Sequence, residues 1–164
     1  MKLKYLIVLI TMLTMGGYQF NAFSQTISEL EYLSEGADLI LTGKVTQQIS
    51  EWNEDRTRIY TNATIQVEEY LKGNTNEGFI VVTYLGGEVG DVGELYTHMP
   101  KFEDDEEILV FLKRSQSTST YKVFNGEEGK ISIVYDKKTG QKVTTSNVLI
   151  NSLKEQIRNS IKEQ

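Results

Sequence analysis

Two stretches of the chain alternate between apolar and polar positions. In residues 38–49, Leu39, Leu41, Gly43, Val45, Gln47 and Ile49 share one face, and Thr42, Lys44, Thr46 and Gln48 share the other. In residues 58–71, Ile59, Thr61, Ala63, Ile65 and Val67 oppose Asn62, Thr64, Gln66 and Glu68. A period of two with one apolar face predicts half-buried strands. The polar segment 52–56 between them predicts a long antiparallel hairpin. Residues 79–85 and 108–112 are apolar on both faces, which predicts strands covered on both sides. Shorter strands are expected at 121–124, 130–135 and 141–143, around the turn-rich segments 125–129 and 136–140.

Helical periodicity is confined to the two ends. Ser28 and Glu31 have capping-box spacing, Ile27 and Tyr32 fit a hydrophobic staple, Leu30 and Leu33 give an apolar edge, and Gly36 is a suitable stop. At the other end Ile150, Leu153, Ile157 and Ile161 recur at spacings of three, four and four, with Lys154, Glu155, Arg158, Lys162 and Glu163 on the polar side. Ser146 or Asn147 is the expected cap. Hairpin-connected strands with helices only at the ends predict a mostly β barrel with a short N-terminal helix and a C-terminal amphipathic helix.

The first residues change the picture of where this barrel works. Lys2 and Lys4 precede an apolar run, Tyr5 to Met15, of 11 residues. Ala22 and Ser24 stand at the −3 and −1 positions before Gln25. This pattern predicts an export signal over residues 1–24 and one domain over 25–164, placed in a periplasmic or extracellular space. The run is short for a ~30 Å hydrocarbon core, so no stable membrane insertion is expected after cleavage. Without Lys2 and Lys4 the balance is 15 basic against 23 acidic residues, a net charge of −8. Nucleic acid is disfavoured as a partner, and basic proteins or divalent cations are favoured. With no cysteine in the chain, thiol catalysis and thiolate metal sites are excluded.

Five stretches, in order, resemble a class of exported bacterial domains with an OB-like antiparallel barrel, and are similar to the netrin-like domain of tissue metalloprotease inhibitors. They are residues 37–45 (ADLILTGKV), 67–73 (VEEYLKG), 86–90 (GGEVG), 106–112 (EEILVFL) and 126–130 (GEEGK). The resemblance covers roughly residues 37–133. It implies an OB-like fold and a protease-inhibitor or metalloprotease-accessory role as one functional alternative. Two departures stand out. The animal inhibitors reach the protease zinc with an N-terminal cysteine, which this chain lacks. Asp105 stands where a glycine is expected.

Candidate chemistry gathers in the glycine-rich segment 86–100. Gly87, Gly90 and Gly93 suit a close backbone approach or a loop closing the barrel mouth, where ligands bind. With Glu88, Asp91 and Tyr96, and with the apolar Tyr84, Leu95, Met99 and Phe102 nearby, the segment is the expected ligand or partner surface; the plainer reading makes those apolar groups core. Glu88, Asp91, Glu94 and His98 could ligate a divalent cation, or could simply be solvated acids on a loop. Residues 103–107 form an acidic run that fits either a cation site or a charged guard before an apolar strand. Trp52 fits either an exposed contact or a side chain folded back on the sheet. His98 is the only histidine, and no nucleophile elbow or singled-out carboxylate pair accompanies it. The expectation is a non-enzymatic binding module of the extracytoplasmic space, without a cofactor apart from a cation in this loop. A small hydrolase is the disfavoured alternative.

Overall fold

The computed structural model describes residues 29–116 and 119–162. The expected export signal over 1–24, the expected cleavage point before Gln25, Ile27, Ser28, Glu163 and residues 117–118 lie outside them. Helix α1 covers residues 29–36. There follow strands β1 (Leu39–Trp52), β2 (Ile59–Lys72), β3 (Phe79–Leu85), β4 (Gly87–Val89), β5 (Val92–Glu94), β6 (Glu107–Arg114) and β7 (Tyr121–Val123). A 3₁₀ turn (Gly126–Gly129), β8 (Lys130–Tyr135), β9 (Lys142–Thr144) and helix α2 (Ile150–Lys162) complete the chain.

Five strands close on themselves in the order β1-β2-β3-β7-β6 and back to β1. The result is an OB-like barrel in a mostly β chain with a helix near each end. Every pairing in the ring is antiparallel except one: β3 meets β7 in parallel, so the barrel is mixed. Strands β8 and β9 continue the sheet from β6 as an outward extension. The β4–β5 hairpin is a separate two-stranded sheet.

The alternation on β1 places Leu39, Leu41 and Val45 inside, packed with Ala63, Ile65, Ile80, Val82, Ile108, Val110 and Leu112. The inward register does not persist to the end of the strand. Val45 pairs with Ile65 but Gln47 pairs with Thr64, so Thr46 is an extra residue. A bulge of this kind reverses which side chains face the core. Past it Gln48, Ser50 and Trp52 are half-buried, whereas Gln47, Ile49 and Glu51 are exposed. This corrects the expectation that Gln47 and Ile49 continue the apolar face. Trp52 is half-buried beside Asn53, across the ladder from Ile59.

Ile40, Thr42, Leu109 and Phe111 point away from the barrel interior, yet all are fully buried. A second layer therefore covers this outer surface, and Leu33 of α1 and Ile150, Leu153 and Ile157 of α2 are buried as well. Strand β2 holds α2 through Glu69, which takes the Lys154 ammonium at 2.7 Å and the Arg158 guanidinium. The helix begins later than expected. The Leu149 carbonyl accepts the Leu153 N–H, so Leu149 holds the N-cap position, while Asn147 (φ 64°) sits in the preceding turn and donates its N–H to the Thr144 carbonyl.

Asp105 has φ 65°, the left-handed conformation that favours glycine. Aspartate tolerates it better than most residues do. The turn is held by backbone bonds from Asp105 N–H to Val45 O and from Val45 N–H to Glu106 O, both 2.9 Å.

Candidate ligand-binding surface

The glycine-rich segment folds as the β4–β5 hairpin, and both its roots are tied to the start of β2. Gly86 donates its N–H to the Ile59 carbonyl at 2.8 Å. On the other side the Ile59 N–H donates to Glu94 Oε2 at 2.9 Å, and Tyr96 OH donates to the same oxygen at 3.0 Å. The Thr61 hydroxyl donates to the Gly86 carbonyl at 2.6 Å. Its single proton is thereby used, so Ser50 is the donor in the 2.8 Å Ser50–Thr61 hydroxyl pair. Gly87 crosses directly over these two hydroxyls with φ 131°.

The hairpin separates the residues read as cation ligands. Glu88 and Asp91 are exposed, with Gly90 and Gly93, toward the hairpin tip. Glu94 is committed to Ile59 and Tyr96. His98 lies in the loop beyond, its Nδ1 3.7 Å from Glu127 Oε1, with both side chains exposed. The four do not form one ligand set. Among the described residues, no three acidic or histidine side chains gather into a group that could hold a metal ion.

Four members of the acidic run are engaged with the barrel. Asp104 accepts from Gln48 Nε2 at 3.0 Å. Asp105 pairs with Lys44, and Glu106 with Lys130, each at 2.6 Å. Glu107 pairs with Lys142 at 2.7 Å and accepts from Tyr135 OH at 2.9 Å.

The concave surface lies beside the hairpin, where residues 95–101 cross the barrel mouth. A cleft of about 280 Å³ is lined by Tyr60, Tyr84, Leu85, Met99, Lys122 and Val123, among others. A second depression of about 310 Å³ adjoins it through Met99 and includes Leu95, Tyr96, His98, Lys101 and Glu127. Leu95 is 80% exposed, the most exposed large apolar side chain among the described residues. The cleft's walls are held firmly. The Tyr84 hydroxyl donates to Gln48 Oε1 at 2.8 Å, and its ring lies 5.4 Å from that of the buried Phe102. Burial pushes the Tyr84 phenol above its ordinary pKa, so it stays a neutral donor at physiological pH. The Glu127 N–H donates to the His98 carbonyl at 3.1 Å and pins the loop to the 3₁₀ turn.

The structure thus brings Tyr84, Leu95, Tyr96 and Met99 to one surface, while Phe102 is core. Glu88, Gly90 and Asp91 remain at the hairpin tip. Trp52 does not line either depression. Tyr60, Leu85, Lys122 and Val123 were not read from the sequence as site residues. They arrive from three strands whose juxtaposition depends on barrel closure, and no local motif announces that. No protein-family model matches the chain, and no curated protein matches it.

Proposed function

We propose that this protein is an exported, non-enzymatic binding module that takes a protein ligand at the barrel mouth, across residues 84–101 and the adjoining end of β7. The observation that carries this reading is the pair of adjoining depressions around Met99, with an apolar wall and an exposed Leu95 at the rim. Concave apolar surface with a few placed polar groups is what ligand sites share. His98, the residue on which a hydrolase reading would depend, has the Glu127 carboxylate as its neighbour at 3.7 Å, and that arrangement offers no nucleophile. Export rests on the N-terminal pattern, and the acidic balance of residues 25–164 favours a partner of net positive charge.

Affinity capture tests it. The purified protein is used as bait against the extracytoplasmic fraction of the source cells, with and without EDTA. The expected result is one stoichiometric partner, retained in EDTA and lost with Leu95→Glu. Capture unaffected by Leu95→Glu and by Met99→Glu would overturn the assignment of the surface. A partner lost in EDTA would restore the cation reading.

The sequence stretches over residues 37–133 that resemble netrin-like domains favour a second reading, a protease-inhibitor or metalloprotease-accessory domain, and an OB-like barrel is compatible with it. Without a cysteine, inhibition would proceed by blocking access and not by thiolate ligation of zinc. That reading predicts loss of metalloprotease activity at stoichiometric dose. Hydrolysis that disappears with His98→Ala would overturn both.

A further inference from the structure

The ligand's form follows from how the barrel closes, granted the binding reading above. Strands β3 and β7 meet at one position only, Val82 with Tyr121. Beyond it β3 runs on through Thr83, Tyr84 and Leu85, held along its other edge by Asn62, Thr61 and Tyr60 of β2. Strand β7 runs on through Lys122 and Val123, held along its other edge by Lys113 and Leu112 of β6. Among the described residues no further pairing joins β3 to β7, and the cleft of about 280 Å³ occupies the split between them. Two strand edges across a gap present backbone donors and acceptors that seek partners. An extended peptide meets that requirement, because its own backbone alternates donors and acceptors at the strand repeat. At about 280 Å³ the cleft falls just below the ~300–1,000 Å³ typical of small-molecule sites.

Side chains at the split define the segment's character. Tyr84, Leu85, Val123 and the adaptable Met99 offer apolar contact. Lys122 is the one charged residue lining the cleft. It is exposed, with no ion-pair partner among the described residues. Its cross-strand neighbour is Lys113, a like charge already engaged by Asp38 at 2.9 Å. Like charges directly opposite across a ladder disfavour one another, and an incoming carboxylate relieves this. Lys101 adds positive charge at the adjoining depression. The domain's net acidity acts at long range on the whole partner, whereas Lys122 acts at contact.

We infer that the β3–β7 split is the docking site for an extended peptide segment of a partner protein, with alternating apolar and acidic residues. The segment adds as a strand along residues 83–85, with an apolar side chain against Met99 and a carboxylate on Lys122.

The test uses the full chain, ¹⁵N-labelled, and end-blocked seven-residue peptides of alternating Val and Glu. Comparison peptides carry Lys for Glu, or backbone N-methyl groups at alternate positions. The Val/Glu peptide is expected to shift the amide resonances of residues 83–85 and 122–123. N-methylation in one of the two alternate sets is expected to weaken binding about tenfold or more through lost backbone bonds. Lys122→Glu is expected to exchange the preference from Glu to Lys peptides. Equal binding of both N-methylated sets, shifts confined to residues 95–98, or no binding by any peptide would each overturn strand addition at the split. Those outcomes leave the broader binding reading standing, because it is judged separately by partner capture and its loss with Leu95→Glu.

Discussion

The Glu94 carboxylate accepts the backbone N–H of Ile59 at 2.9 Å, so one side chain of the β4–β5 hairpin completes the first residue of β2. Ile59 is fully buried, and its N–H has no water to turn to if the carboxylate is removed.

Glu94→Ala should therefore cost about 1–3 kcal/mol, the range for stranding a buried donor. Glu94→Gln should cost less than half of that, since the amide oxygen still accepts. Urea unfolding of the three proteins with unchanged m values checks this. Equal stability of Glu94→Ala and the parent would show that the hairpin root does not depend on this bond.

Gly87 offers a sharper test of the same junction. A Cβ there would fall within contact distance of the Thr61 and Ser50 hydroxyls and 3.0 Å from Ser50 Cβ, at a φ that side chains rarely adopt. Gly87→Ala should destabilise by about 2 kcal/mol or more. Gly78→Ala meets nothing within 4 Å and should stay within about 0.5 kcal/mol of the parent. Thermal unfolding resolves the difference, and a neutral Gly87→Ala would mean that the crossing over Ser50 and Thr61 is loose.

The contrast between these positions indicates what a sequence discloses about such a barrel. The strand at 108–112 was legible, as one covered on both faces, because its apolar run is uninterrupted. The strand at 79–85 is present, but only Ile80 and Val82 are buried on it and Phe79 is 56% exposed, which corrects the expectation that it is covered on both sides. Helix α2 was legible because its apolar residues keep helical spacing. The bulge at Thr46 was not legible. Nothing in Val45-Thr46-Gln47 distinguishes it from a regular strand, yet it brings Gln48 inward to meet Tyr84. The covered outer face was hidden for another reason. Thr42 reads as a solvated position on a two-faced strand, and only the second layer outside the barrel removes it from water. The candidate surface was legible where it is local, at Leu95, Tyr96 and Met99. It was illegible where it depends on closure, at Tyr60, Lys122 and Val123.

The outer layer should matter as much as the barrel interior. Phe111 is fully buried on the outward side of β6, and Phe111→Ala should cost about 3–5 kcal/mol. Leu95→Ala, at the exposed rim of the surface, should leave stability within about 0.5 kcal/mol while weakening capture of the partner. Paired denaturation and capture measurements separate the two roles. A large loss of stability in Leu95→Ala would place that residue in the fold and remove it from the surface.

Acid should loosen the barrel in a definable window. Lys113 and the Arg114 N–H hold the Asp38 carboxyl below its ordinary 3.8; Lys154, with Arg158, holds Glu69 below 4.5; Lys142 holds Glu107 below 4.5. A carboxyl whose pKa is depressed on folding contributes stability that is fully present above its unfolded pKa and is lost as pH falls through the folded one. Stability against urea should thus be flat between about pH 7 and pH 5 for these groups, and should fall below about pH 4.5. Glu69→Gln isolates one share of that loss. Lys154 is only 13% exposed, so removing its partner's charge should cost about 1–2 kcal/mol at pH 7. The gap between variant and parent should then narrow as pH falls below about 4.5, because Glu69 takes up its proton in the unfolded parent before it does in the folded one, where Lys154 holds it below that value. A gap that stays constant down to pH 3 would show that Glu69 holds α2 through packing and not through its charge.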